Sequence, residues 1–263
     1  MTVKRERELL LVLIPMLCEE HGLRFELDES APADELFGTF RALVNTREPL
    51  PASAELLAAQ DELLRGMIAE KGITRVEDIP TVPCDPRLRL WRGDITTLAA
   101  DAIVNAANSQ MLGCWVPGHH CIDNAIHTFA GVQLRLACAE LMAAQGHEEG
   151  TGLAKVTPAF NLPARHVIHT VGPIAQGRPT ARHSLQLASC YRSCLDVAAR
   201  CGLHSVVFCC ISTGIFGFPQ EEAARIAVRT VRTWLDEQAE AGISVVFNVF
   251  AAADEAIYEQ LLA

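Results

Sequence analysis

A chain of 263 residues, half of them apolar, is long enough for one large domain or for a domain with a sizeable extension, and it can bury a packed core. Its formal charge of −10 excludes the broad basic surface that nucleic acid needs, so any anionic ligand has to be held locally by backbone N–H groups. The ten cysteines fall in apolar helical and strand-like runs, which fits reduced thiols and a cytoplasmic protein better than a disulfide framework.

The chain opens with a basic start and an apolar run up to Cys18, but Glu6 and Glu8 interrupt the basic part and bulky Met16 and Leu17 stand where a leader's cleavage site wants small residues. The run is also far short of the roughly 20 residues a membrane span needs, so it is read as a buried helix with no membrane role. Leu9, Leu13, Met16 and Leu17 share one helical face, and Leu56, Leu57, Leu63, Leu64, Met67 and Ile68 form a second apolar stripe. Pro49 and Pro51 interrupt the helical pattern between them, so a new helix is expected to open at Glu55. Such stripes are core, and no catalytic constellation falls in this third. Residues 1–85 are therefore read as a helical extension with a connecting loop over Gly72–Asp85, and residues 86–263 as the domain proper.

From Leu88 onward, short apolar runs at 88–91, 102–107, 154–159, 166–172, 205–212 and 244–250 predict strands, and amphipathic stretches at 125–144, 184–199, 221–238 and 254–262 predict helices. The alternation is that of a three-layer α/β domain, in which ligands bind beyond the strand C-termini. The informative loops follow Trp91, Ala107, Val171 and Ser212. After the first of these, Gly93 permits a sharp turn, and Asp94 with the amide of Ile95 can accept from and donate to one adenine edge; the plainer alternative for Asp94 is a helix N-cap. Asn105 and Asn108, around two alanines at a strand end, are either amides aimed at sugar hydroxyls or turn asparagines bonded to their own backbone. Cys114, His119 and Cys121 form a Cys-x4-His-x-Cys array: three borderline-soft donors without a fourth, as in a catalytic zinc site with an open position. His120 is an equal candidate for the imidazole, and ordinary buried cysteines are the plain alternative for the sulfurs. Asp123 follows two residues later, close enough to reach the same pocket. The stretch Ser212, Thr213, Gly214, Ile215, Phe216, Gly217 leads from a strand into a helix near Gln220; its glycines let successive amides converge as an anion nest suited to pyrophosphate, although a routine helix entry has the same composition. His127, His166, His169 and His183 are read as structural, with His169 a core residue rather than a zinc ligand.

The segments NAAN (105–108), GCWVPGHHCIDNAIH (113–127), VIHTVGP (167–173) and ISTGIFGFP (211–219) together resemble a macrodomain of the zinc-containing class, over a match running from about Leu88 to the C-terminus. Ordinary ADP-ribose-hydrolysing macrodomains carry a glycine-rich loop and Val-Asp-Gly after NAAN; here residues 113–121 with their Cys and His replace it. The resemblance implies a three-layer α/β/α fold with a mixed central sheet, a Zn2+ cofactor and a pocket for ADP-ribose. Asp94 and Ile95 would meet the adenine, and Asn105 and Asn108 the distal ribose. Residues Ser212 to Gly217 would form the diphosphate loop, with Phe216 over the proximal ribose or pyrophosphate. The implied activity is removal of mono-ADP-ribose from modified proteins, acidic side chains being the expected attachment, with Asp123 and Asn108 as catalytic residues and a sirtuin-type transferase as the writer of the mark. In relatives without zinc an Asp stands at the position of Asp123. Two other functions use the same pocket: a reader that binds ADP-ribose without turnover around a structural zinc, and a hydrolase of small derivatives such as O-acetyl-ADP-ribose.

Overall fold

The computed structural model describes residues 1–24 and 26–263. Three helices come first. α1 (Val3–Glu20) starts behind Thr2, whose hydroxyl accepts from the Arg5 amide, and buries Leu9, Leu10, Leu13, Ile14 and Leu17 on one face. α2 (Ala33–Thr46) stops three residues before Pro49, as proline sterics require. α3 (Ala54–Lys71) opens one residue before Glu55, because Ser53 caps it by accepting from the Leu56 amide. Each fully buried leucine in these helices contributes about 1.5–3 kcal/mol of burial, and Leu10, Leu13, Leu36, Phe40, Leu63 and Leu64 belong to the same hydrophobic core as the strands that follow.

The stretch expected as a plain connecting loop is more structured than its composition suggests. β1 (Thr74–Arg75) pairs in parallel with β4 (Leu98–Ala99), and β2 (Thr81–Val82) pairs antiparallel with β3 (Asp85–Arg92). The boundary expected at 85/86 thus runs through a hairpin of the main sheet. The remaining strands are β5 (Ala102–Ala107), β6 (Ala154–Pro158), β7 (His166–Val171), β8 (Ser205–Phe208) and β9 (Ser244–Val249). Seven strands lie in the order β2-β3-β9-β8-β5-β7-β6; the five inner ones are parallel and the two edges antiparallel. Their centres read as unbroken apolar runs, such as Ile103–Val104 and Val206–Val207, because helices cover the sheet.

Two predicted elements differ in extent. The helix expected over 125–144 is two helices, α4 (Ile122–Ala130) and α5 (Val132–Gln145), separated by Gly131 at φ 96°. A side chain there would meet Gln133, Gln60 and Asn161 within 2.9 Å, so glycine permits both the turn and the close packing. The strand expected over 205–212 ends at Phe208, and the chain turns away through Cys209–Ser212 with Ser212 at φ 67°. α6 (Ala181–Arg200), α7 (Gln220–Glu237) and α8 (Ala252–Leu262) fall within a few residues of their expected places and pack as neighbours, while α4 lies on β5 and carries α2 and α3 on its outer side.

The strand order fixes where a ligand can bind. β5 and β8 are adjacent, yet the chain leaves β5 towards β6 and β7 and leaves β8 towards β9. Their C-terminal loops therefore diverge and open a crevice, the topological switch point of an α/β sheet.

Candidate functional site

The loop after β5 holds the Cys/His array. Cys114 Sγ lies 3.5 Å from His119 Nδ1, and the donor atoms of Cys114, His119 and Cys121 all fall within 4.8 Å of one another. His120 points to solvent and takes no part. Cys121 is the N-cap of α4, its sulfur accepting from the Asn124 amide at 3.4 Å. Burial pushes its thiol up to about 11, against the pull of that amide.

Much of what shapes this loop comes from outside it. Arg41 of α2 donates to the His119 carbonyl at 3.0 Å and, with two nitrogens, to Asn124 Oδ1 at 3.0 and 2.8 Å. Asn45, one turn further along α2, accepts from the Gly118 amide at 3.0 Å and from Asn124 Nδ2 at 2.8 Å. Arg135 of α5 lies 4.1 Å over the Trp115 ring and donates to the Arg47 carbonyl at 2.7 Å. None of these is marked out by the sequence: Arg41 and Asn45 stand at i, i+4 spacing beside the buried Phe40, a pattern that puts them on one helix face without naming what they bond.

Asp123, in the first turn of α4, faces inward and is 6 % exposed. Its Oδ1 accepts from Asn105 Nδ2 at 2.7 Å and lies 3.6 Å from His127 Nε2. Burial raises its pKa to about 6, opposed by the Asn105 bond and the charge of Arg135. Asn105 is wholly buried and also meets His169 Nδ1 at 3.2 Å, so the structure joins it to Asp123 rather than to the crevice. Asn108 has the turn geometry: its Oδ1 accepts from the Gln110 and Met111 amides and its Nδ2 donates to the Gly113 carbonyl at 3.1 Å.

Across the crevice, the loop after β8 is held by its own backbone. Phe218 N–H donates to the Ser212 carbonyl at 2.9 Å and Gly217 N–H to that of Gly214 at 2.9 Å, while the Phe216 carbonyl accepts from Ala175 and Gln176. The amides of Gly214, Ile215 and Phe216 donate to no described residue, which leaves three adjacent donors for an anion. Ser212 sits in the left-handed region with its buried Oγ unpartnered among the described residues, and Gly172 lacks the Cβ that would collide with that oxygen. Thr213 turns its hydroxyl to the Cys210 carbonyl at 3.0 Å.

At the far side, beyond β3, Asp94 caps the 3-10 turn Ile95–Thr97. One oxygen accepts from the Thr96 amide and hydroxyl; the other pairs with Lys71 of α3 at 2.9 Å. Burial works against its ionisation, but the bonds from Thr96 and Lys71 outweigh burial and hold its pKa below the usual value. Ile95 is buried beneath it. Phe250, next to the end of β9 and 80 % exposed, stands near this corner, where the Gly93 amide donates to the Val249 carbonyl. An exposed aromatic face here is suited to stacking on a planar ring, a feature sequence reading passed over. Three strand spacings separate β3 from β5, roughly 14 Å at about 4.8 Å each.

A mixed α/β sheet with a carboxylate corner, a bare-amide loop and a three-donor loop strung along its C-terminal edge defines a domain for an extended anionic ligand. The chain belongs to the macrodomain family. The Macro domain model matches residues 104–227. The chain is 51% identical over 268 residues to a Protein-ADP-ribose hydrolase of Treponema medium, covering 100% of both, and 46% identical to a Protein-ADP-ribose hydrolase of Staphylococcus aureus (strain MSSA476), covering 98% of this chain and 97% of that one. Among solved structures it is similar to the Trypanosoma brucei macrodomain in complex with ADP-ribose, at 31% identity and TM-score 0.66 over 85% of this chain and 95% of the other. It is also similar to the Oceanobacillus iheyensis macrodomain with ADP, at 39% identity and TM-score 0.59 over 66% and 88%.

Proposed function

We propose that the chain is a zinc-dependent hydrolase that removes mono-ADP-ribose from modified protein side chains, acidic ones foremost, and releases ADP-ribose. The observation that carries this reading is the placement of a three-donor cluster and the Asp123 carboxylate, two residues apart in sequence, at the switch point opposite a loop of bare amides. The names of the full-length relatives support hydrolysis of the ADP-ribose–protein linkage.

The donor set fits zinc. Ordinary Zn–S and Zn–N lengths at a tetrahedral angle place sulfur and nitrogen about 3.6 Å apart, and Cys114 Sγ and His119 Nδ1 are 3.5 Å apart. Zn2+ held by Cys114, His119 and Cys121 supplies Lewis acidity for orienting and polarising a substrate oxygen, its charge partly offset by two thiolates.

The chain's own residues do the rest. Amides of Gly214, Ile215 and Phe216 receive the pyrophosphate, with the Phe216 ring and the Ser212–Gly217 backbone closing over it. Asp94 and the Ile95 amide take the adenine edge, the carboxylate exchanging Lys71 for the exocyclic amine, while Phe250 stacks on the base. Asn108 reaches the distal ribose by trading its local turn bonds for hydroxyls. Asn105 holds Asp123, and Asp123 orients or deprotonates the attacking water. The ten cysteines are all free, which supports a reducing compartment such as the cytoplasm, and among the described residues no helix is long and apolar enough to cross a membrane. A sirtuin-type transferase writing the mark completes the proposal. The test is metal analysis of the purified chain together with release of ADP-ribose from mono-ADP-ribosylated protein: one zinc per chain and loss of release on chelation are expected. A metal-free, folded protein working at the full rate would overturn the zinc mechanism.

A further inference from the structure

We infer that Arg41 and Asn45 of α2 are positioning residues for the three-donor loop, so that the helical extension forms one wall of the site and pre-folds the loop before an ion arrives. The loop has little to hold it in one shape. Between Cys114 and Cys121 its backbone makes a single internal hydrogen bond, His119 N–H to the Val116 carbonyl at 3.2 Å, and Gly118 sits at φ 64°. At its start Arg135 of α5 covers Trp115 and donates to the Cys114 carbonyl at 3.4 Å, and from Val116 to His119 the contacts that fix it come from α2 and from Asn124.

That asparagine is a hub with its capacity in use. Its Oδ1 accepts twice from Arg41, and its Nδ2 donates to Asn45 Oδ1 at 2.8 Å and to the Val116 carbonyl at 3.2 Å. Its own backbone amide donates to Cys121 Sγ. Asn45 accepts from Asn124 and from the Gly118 amide and donates to Thr128 Oγ1 at 3.1 Å. Both asparagines are at most 1 % exposed. A buried polar network with its members paired admits one arrangement, because any other leaves a donor or acceptor dry. Arg41 closes the network onto the His119 carbonyl, one backbone unit from the donating imidazole. The donors' convergence is thus specified by residues more than 70 positions earlier in the chain.

The inference rests on the zinc reading for one of its two measurements and stands without it for the other. Full-length wild type, Arg41→Ala, Arg41→Lys, Asn45→Ala and the control Arg5→Ala are stripped of metal; Arg5→Ala breaks an exposed ion pair between α1 and α3 far from the loop. The first measurement is the rate at which a thiol reagent modifies Cys114 and Cys121, mapped by mass spectrometry. The second is zinc affinity by competition with a chromophoric chelator. Arg41→Ala is expected to speed modification about tenfold and to weaken zinc about 10–100-fold, the usual range for residues that orient metal ligands, with cooperative unfolding retained and a lower melting temperature because buried Asn124 Oδ1 loses both bonds from Arg41. Arg41→Lys recovers part of both, since one ammonium reaches either the His119 carbonyl or Asn124 but not both. Arg5→Ala changes neither. If Asn45→Ala fails to fold, Arg41→Ala carries the test. Folded Arg41→Ala with wild-type thiol reactivity and wild-type zinc affinity would overturn the inference. A wild type that takes up no zinc while Arg41→Ala still exposes the thiols would instead defeat the zinc reading and leave the positioning role standing.

Discussion

Among the described residues, two groups of three metal-type donors flank Asp123 in sequence, and they differ in burial and in the elements that supply them. The outer group, Cys114, His119 and Cys121, is half-buried and comes from one loop. The inner group, His127, Cys138 and His169, is sealed in the core and comes from α4, α5 and β7. Cys138 Sγ is 3.7 Å from His169 Nε2, a separation as compatible with a shared ion as that of the outer pair. Burial holds both histidines neutral, with His169 lowered to about 4, and neutral imidazole is the ligating form. Proximity and protonation therefore do not separate the two groups; access does, since the inner donors are buried and the outer ones half-buried, and His169 is engaged on both nitrogens. His169 has Thr157 Oγ1 at 3.0 Å on one nitrogen and Asn105 Nδ2 at 3.2 Å on the other. The ring nitrogens of His127 have no partner among the described residues, and Nε2 stands just beyond bonding distance of Asp123. We propose the outer group as the metal site and the inner group as the wall behind Asp123 and Asn105.

The largest expected effect tests that division directly. Cys114→Ser and Cys121→Ser should each lose the metal, hydroxyl being a far poorer zinc ligand than thiolate, and with it the release of ADP-ribose. Cys138→Ser should keep one zinc per chain. Zinc retained in both outer variants, or lost from Cys138→Ser, would reverse the assignment. Next in size is Asp123→Asn, which keeps the bond from Asn105 but removes the base. Release of ADP-ribose should fall on the order of 10²–10⁴-fold, with zinc content and binding of free ADP-ribose retained. A variant with near-normal turnover would remove Asp123 from the chemistry.

The contrast between the groups also marks where sequence stopped being informative. The outer donors are near neighbours in the chain, so their spacing was legible, as was the placing of Asp94 and of residues 212–217 in loops that follow strands. The inner group is assembled by the β5–β7 register, which sets Asn105 opposite His169, and by a helix break at Gly131; no local pattern encodes either. Arg41, Asn45 and Lys71 were missed for the same reason, because an apolar stripe announces that a helix packs but not on what. The two-residue strand β2 was lost in a Pro- and Thr-rich stretch, its pairing decided by the neighbouring β3. Cys209–Ser212 read as strand because a buried turn and a buried strand have the same apolar composition.

A smaller effect is expected at the opposite end of the crevice. Asp94→Ala should weaken ADP-ribose binding by about 1.5–3 kcal/mol, the worth of a hydrogen bond to a charged group, and leave zinc untouched some three strands away. Lys71 loses its partner in the same variant, and that exposed pair contributes about 0–1 kcal/mol to stability. Calorimetry showing unchanged affinity would return Asp94 to the role of a cap on the Ile95–Thr97 turn.

The smallest functional effect is expected from the inner group itself. His169→Leu replaces the ring by an apolar side chain of similar bulk, so cavity formation is minor and the cost falls on polar atoms left behind. Thr157 is buried and loses its partner at 3.0 Å; Asn105 loses one of two contacts but keeps Asp123. An unsatisfied buried group costs about 1–3 kcal/mol, which for a domain of this size lowers the melting temperature by roughly 2–4 °C per kcal/mol. Zinc content should stay at one per chain, and turnover should drop less than tenfold, because Asp123 retains the Asn105 bond that orients it. Metal analysis and thermal unfolding of the same preparation separate the outcomes. A clear melting shift with full zinc supports a wall of hydrogen bonds behind the Asp123 carboxylate, whereas an unshifted melt with zinc lost would make His169 a ligand and merge the two groups into one.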